Sequence, residues 1–274
     1  MRFFNRSQSG FTLIEIIMVI VLTGILAALA SSFASPLKGY FDAAARAELS
    51  DAADTALRRM ARELRAALPN SIRVNGSYIE FLSTTTGGRY RTQQDCSGAC
   101  AGDVLDFVAA DTSFDVIGTL PDTPVTGQEL VIYNTTPASA YTGTNVAMLT
   151  SNNVCTLTTT KICFTGGMLF PFESPGDRFQ VISGPVTFAC VGNILWRYSG
   201  YARQAAQPTD RIVAPLSTAT NIAKLATGVD CANSSFVYNA GTTQRADLVV
   251  MSLTLANNSD SVTLLHQVHV QNVP

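Results

Sequence analysis

Ser9-Gly10-Phe11-Thr12-Leu13-Ile14-Glu15 opens a run that stays almost wholly apolar as far as Ala34. A run this long and this apolar predicts a transmembrane helix. One carboxylate interrupts it, at Glu15. An acid inside such a segment is costly in hydrocarbon and marks a functional position. The leader, residues 1–10, carries Arg2 and Arg6 and no acid. Its charge favours the cytoplasmic side for that end.

The string Gly10-Phe11-Thr12-Leu13-Ile14-Glu15 resembles the cleavage and methylation signal of type IV prepilins and type II secretion pseudopilins. The likeness combines a short basic leader, a glycine at the cut, a phenylalanine after it, an acid at a fixed offset and an apolar helix. It implies cleavage between Gly10 and Phe11 by a prepilin peptidase, then N-methylation of Phe11. The alternative is a signal anchor or a secretory signal peptide. Ala28-Leu29-Ala30 and Ser32-Phe33-Ala34 imitate its cut site, but its apolar core is shorter and Glu15 has no role in it.

A role for Glu15 follows from electrostatics. A free amino group at Phe11 is charged near neutral pH. That cation in one subunit and the Glu15 carboxylate in its neighbour neutralise each other, so neither is left unpaired in an apolar bundle. An unpaired acid costs about 2.5 to 3.5 kcal/mol at mid-helix and less near the interface. The pairing makes Glu15 an assembly residue. The alternative is an acid close enough to the headgroups to stay hydrated.

The chain has 274 residues, and its first 68 or so read as one long helix. That leaves room for one sizeable β-rich domain or two small ones. Charged residues make up 14% of the chain, low because of the apolar segment and a Ser/Thr/Asn-rich remainder. The net charge is −2, and losing Arg2 and Arg6 with the leader takes the side chains to −4. That balance argues against a general nucleic-acid binder.

Pro36 breaks or kinks the helix ladder. Helical spacing then resumes in Leu49, Ala53, Leu57, Met60, Leu64 and Leu68, one apolar stripe. Arg58, Arg59, Arg62 and Arg65 lie opposite, interleaved with Glu48, Asp51 and Asp54. They read as a solvated face rather than a DNA or phospholipid patch. Asp54 with Arg58 and Arg59 with Glu63 are i,i+4 pairs. Pro69-Asn70 ends the helix.

The period then changes to two. Residues 71–74 and 77–82 flank Asn75-Gly76, a hairpin signal of the type I′ kind. Residues 104–109, 129–134 and 162–165 read as strands. Residues 84–102, 111–127 and 135–153 read as loops, where binding function often resides. Residues 178–183, 186–191 and 194–198, separated by Gly184-Pro185 and Gly192-Asn193, predict sequential hairpins. Residues 236–238, 248–255 and 262–270 predict a closing meander. Such hairpins build an antiparallel sheet with one buried face, and the helix stripe is its natural cover. The fold class is α+β. The expected division is a leader at 1–10, a membrane helix at 11–35, an amphipathic helix at 36–68 and a globular domain at 69–274.

Six cysteines, Cys96, Cys100, Cys155, Cys163, Cys190 and Cys231, all follow the membrane segment. With the N-terminus inside, they lie in the periplasm, where disulfides persist. The favoured pairing is between near neighbours: Cys96 with Cys100, Cys155 with Cys163, and Cys190 with Cys231. A zinc site at Cys96 and Cys100 lacks a second ligand pair.

Three further strings resemble the MshO-like minor pilins of the MSHA pilus. They are Ala53-Asp54-Thr55-Ala56-Leu57-Arg58-Arg59-Met60-Ala61-Arg62-Glu63-Leu64-Arg65, Leu195-Trp196-Arg197-Tyr198-Ser199-Gly200-Tyr201, and Leu264-Leu265-His266-Gln267-Val268-His269-Val270-Gln271-Asn272-Val273-Pro274. The J-type pseudopilins of type II secretion are similar in outline. The resemblance implies the type IV pilin fold and a low-abundance subunit that starts or caps a pilus. Implied partners are prepilin peptidase, other major and minor pilins, the inner-membrane assembly platform and membrane lipid. It places the chain in the inner membrane with a periplasmic domain, then in the pilus. The alternatives are a type II secretion minor pseudopilin, and a pilus-tip adhesin or DNA receptor using the loops of residues 84–153.

No enzymatic constellation emerges. His266 and His269 are three apart in a predicted strand and so point to opposite faces. Asp103, Asp106, Asp111 and Asp115 suggest calcium by charge, but lack the glycine and closing glutamate of an EF-hand loop. Gly87-Gly88 and Gly166-Gly167 read as turns without a following helix, so no phosphate cradle is expected. Trp196 and Tyr198 read as strand packing rather than a sugar platform. No cofactor and no metal are expected.

Overall fold

The computed structural model describes residues 10–241, 246–257 and 260–271, and of residues 31–38 the backbone only. The expected leader, apart from Gly10, and residues 272–274 lie outside the described residues. The chain falls into two units, Met1–Glu48 and Leu49–Pro274. Helix α1, Leu13–Arg65, contributes to both. Its backbone is helical at Pro36.

In the second unit the stripe read from the sequence is the buried face. Ala53, Leu57, Met60, Leu64 and Leu68 are all buried, joined by Ala56 and Ala61. The helix ends at Arg65, before the expected Leu68. The sheet takes over its backbone there. The Leu68 amide donates to the Leu82 carbonyl at 2.8 Å and the Thr84 amide to the Ala66 carbonyl at 2.9 Å.

Among the described residues twelve strands follow: β1 Arg73–Asn75, β2 Tyr78–Tyr90, β3 Asp111–Ile117, β4 Glu129–Ile132, β5 Val146–Met148, β6 Lys161–Met168, β7 Arg178–Val191, β8 Ile194–Ser199, β9 Asn221–Thr227, β10 Ser235–Asn239, β11 Asp247–Ala256 and β12 Ser261–Val270. A short helix α2, Pro137–Thr142, lies between β4 and β5. The first nine strands form one sheet, with β2 and β7 as its longest pair. The last three form a separate meander, β10-β11-β12. Every strand pairing is antiparallel. The fold is α+β.

The main core is built by the α1 stripe together with both sheets. It includes Ile79, Phe81, Val186, Phe188 and Leu195 from the large sheet and Met251, Leu253 and Val268 from the small one. A second core gathers Tyr90, Phe114, Phe164, Phe170 and Phe179. Phe114 and Phe179 meet edge to face at 5.2 Å, a favoured aromatic geometry. Cys190 is bonded to Cys231, tying β7 to the segment before β10.

Several local expectations are corrected. Asn75 closes the β1–β2 ladder opposite Tyr78, so the turn is Gly76-Ser77, with positive φ at Gly76 and not at Asn75. Residues 84–90 are strand rather than loop, as the second half of β2. Gly87 lies so close to β7 that a Cβ there would sit 2.9 Å from the Phe179 carbonyl oxygen. Gly184-Pro185 is no turn. β7 runs through it, with Gly184 at φ 107° and Pro185 opposite Leu82. Gly166-Gly167 likewise lies within β6. Residues 104–109 are irregular because Asp106 turns the chain by accepting from the Val108 and Ala109 amides at 2.6 and 3.0 Å. Residues 111–117, expected as loop, are β3, and Phe114 and Val116 point into the second core. Strand β9 lies between the predicted hairpins and the predicted meander, where no strand is expected.

Candidate functional site

The N-terminal segment combines an exposed recognition string with an uncovered apolar helix. Gly10 precedes the helix and is exposed, as is Phe11. Thr12 starts α1. Its carbonyl accepts from the Glu15 and Ile16 amides at 3.1 and 3.3 Å, and its Oγ1 accepts from the Glu15 amide at 3.4 Å. Thr12 thus acts as an N-cap and Glu15 stands three residues on, the spacing of a capping box, with the Thr12 half of it formed. A carboxylate there also faces the positive end of the helix dipole. The spacing Thr-x-x-Glu was the signal for this second role, which an electrostatic reading of Glu15 alone passes over.

Residues Leu13–Ala30 have a mean hydropathy of 2.7, and none of that window is buried within the chain. Thr23 satisfies itself by donating to the Val19 carbonyl at 2.7 Å. An apolar helix with every face open is compatible with membrane anchoring.

Residues 5–31 match the family model described as the prokaryotic N-terminal methylation motif. Motif and helix together support a type IV pilin-like or pseudopilin-like protein. Among curated proteins and solved structures, none matches the chain. A pilin-like chain with this motif is processed by a prepilin peptidase and assembles with other pilins.

Beyond the pilin-like segment, the structure joins Cys96 to Cys100, Cys155 to Cys163 and Cys190 to Cys231. These are the near-neighbour pairs. The first closes a small exposed loop, in which Asp95 and Ala101 exchange backbone hydrogen bonds at 2.8 and 2.9 Å. Cys163, on β6, is fully buried in the second core.

The aspartates weighed for calcium are already occupied. Lys161 Nζ donates to Asp103 at 2.7 Å and to Asp115 at 3.2 Å. Asp103 also accepts from Ser113, and Asp115 from the Asp103 amide. Asp106 and Asp111 spend their oxygens on nearby amides. Among the described residues, no His/Cys/Asp/Glu group is arranged to hold a metal. Partial burial pushes the Asp115 carboxyl up, but the Asp103 amide and the Lys161 ammonium outweigh it and the net shift is downward. Burial pulls Lys161 down, and its two carboxylate partners reverse that to a net rise. The cluster therefore holds between the ordinary carboxylate and lysine ranges. It weakens when acid protonates Asp115 below its lowered pKa, or when alkali discharges Lys161 above its raised one. All three groups are partly exposed, so solvent screens the triad. Lys161→Met is expected to destabilise the chain by about 1 kcal/mol at neutral pH. The deficit relative to wild type should shrink as pH falls through the carboxylate range, measured by urea unfolding.

A buried polar network joins β1, β2 and the segment after β8. The Glu80 side chain is fully buried. It accepts from Arg73 Nε at 2.6 Å and from the Tyr201 hydroxyl at 2.9 Å. Arg73 also donates to the Ala205 and Gln204 carbonyls and lies 3.6 Å from the centre of the Tyr141 ring. Burial raises the Glu80 pKa; the Arg73 and Tyr201 hydrogen bonds oppose this without cancelling it. A cleft of about 480 Å³ lies alongside, lined by Glu129, Tyr141, Tyr201 and Arg203 among others. Arg203 and Glu129 occupy each other at 2.7 Å.

The remaining candidates are structural. His266 lines a cleft against α1, whereas His269 is exposed, so the two do not converge. Trp196 donates to the Val191 carbonyl, and Arg211 and Lys224 lie 4.7 and 5.4 Å from its ring. Tyr198 is buried. Glu63 receives Arg197 of β8 at 2.8 Å, closer than its helix neighbour Arg59 at 3.5 Å.

Proposed function

We propose that this chain is a minor subunit of a type IV filament of the MSHA pilus type. It takes part in starting or assembling the filament after cleavage between Gly10 and Phe11 and N-methylation of Phe11. The observation that carries this reading is the methylation motif, with Glu15 inside it, on an apolar helix that the chain leaves uncovered. In this reading residues 11–35 sit in the inner membrane and the β-rich unit lies in the periplasm. The partners are prepilin peptidase, major and minor pilins, the assembly platform and lipid.

The supporting physics lies in Glu15. The Thr12 cap satisfies a backbone donor but does not neutralise the acid, so the carboxylate keeps its preference for a cation. The charged terminus of a neighbouring subunit supplies one. Glu15→Ala should leave processing intact and lower recovery of the chain in filaments at least about tenfold, the equivalent of about 1.4 kcal/mol. Cross-linking to other subunits and immunoblotting of sheared filaments measure this. Unchanged incorporation removes the pairing. Deleting the chain should abolish surface pili and leave exoprotein release intact; the reverse outcome assigns it to a secretion pseudopilus.

A further inference from the structure

Strand β12 presents a long open edge beside a basic cleft. Ten consecutive residues, Ser261–Val270, pair with β11 in unbroken register, from Ala256↔Ser261 to Asp247↔Val270. Among the described residues, no backbone group of β12 bonds to anything but β11. Open edges are normally blunted by brevity, proline, charged side chains or bulges. β5 is only three residues long, and β9 carries Lys224. β12 has none of these devices: it is long and bulge-free, and Ser-Val-Thr-Leu-Leu-His-Gln-Val-His-Val contains no proline, lysine or acid. Leu265 on its outer face is 63% exposed.

The inner face of the same strand borders α1. His266 and the helix residues Asp54, Arg58, Ala61, Arg62 and Arg65 line a cleft of about 480 Å³. Asp54 holds Arg58 at 2.6 Å. Arg62 and Arg65 are exposed and make no ion pair among the described residues. Three guanidinium groups thus face one carboxylate. A strand added at the β12 edge would lie roughly 4.8 Å further out and point alternate side chains into this cleft.

We infer that the β12 edge accepts an extended acidic segment of another polypeptide as an added strand, with its carboxylates on Arg58, Arg62 and Arg65. Main-chain hydrogen bonds provide the affinity and the alternating carboxylates the selectivity. Arginine suits the second task because its planar fork matches a carboxylate. The inference is independent of the filament reading, since a subunit or an unrelated partner can supply such a strand.

The test uses the full chain in detergent micelles. The probes are a ten-residue peptide in which Glu alternates with Thr and Val, and its Lys counterpart. Anisotropy should show the Glu peptide binding at least about tenfold tighter. Hydrogen exchange should slow at alternate amides of β12. Arg62→Glu with Arg65→Glu should reverse the preference, and both positions are exposed enough for the variant to fold. N-methylating alternate amides of the Glu peptide should abolish binding to the wild-type chain. Equal binding of the two peptides, binding that survives N-methylation, or unchanged exchange at β12 would each overturn the proposal. So would a Glu-peptide signal fully displaced by inorganic phosphate while β12 exchange stays unaltered.

Discussion

Arg73→Met is expected to destabilise the β-rich unit by about 3 to 5 kcal/mol, the usual loss when one partner of a buried ion pair is removed. The reason is what remains. Glu80 stays in a fully buried position, and its single neutral partner is the Tyr201 hydroxyl. The substitution also releases the Gln204 and Ala205 carbonyls that Arg73 holds. The pH dependence has a definite sign. Burial already raises Glu80, and removing the guanidinium raises it further. A carboxyl whose folded pKa lies above its unfolded value binds protons more tightly when folded, so folding is favoured as pH falls. The variant's deficit should therefore be largest at neutral pH and shrink through the weakly acidic range. Urea unfolding at several pH values measures it. Adding Glu80→Leu should recover much of the loss, because an apolar replacement of a buried pair is often tolerated. A deficit that is flat with pH would show that packing, not the stranded charge, was lost.

The second large effect concerns Gly10. On the proposed processing, a bulky residue at this position should stop cleavage altogether, so that Gly10→Lys accumulates with residues 1–10 attached and Phe11 unmethylated. Gly10 is exposed, precedes the helix and has open space where a Cβ would stand. The fold thus places no steric demand on it, and any loss reflects what a peptidase pocket tolerates. Intact-mass measurement of membrane-extracted protein reads both changes at once. The wild type should lack ten residues and carry one methyl group. A wild-type mass that retains the leader would end the proposed route.

Much of the architecture was legible in the chain because two periodicities are clean. Leu49, Ala53, Leu57, Met60 and Leu64 announce the helix face, and the closing meander alternates along β12 and along most of β11. The failures share a physical cause. Gly87, Gly166 and Gly184 resemble turn residues, yet here they admit close approach or a bulge within strands. Asp106 ended an expected strand through side-chain hydrogen bonds that compete with the sheet, an effect no periodicity reports. At the N-terminal site, the carboxylate was legible by its cost in an apolar run. The Thr12 cap on the Glu15 amide was legible only as a spacing.

Lys161 gives one last consequence. Its ammonium occupies the space between Asp103 and Asp115 and is covalently part of the chain. Dilution cannot leach this counter-charge, and sequestering agents cannot strip it away. The β3–β6 corner should keep its shape whether or not divalent cations are present, and acidity or alkalinity should loosen it.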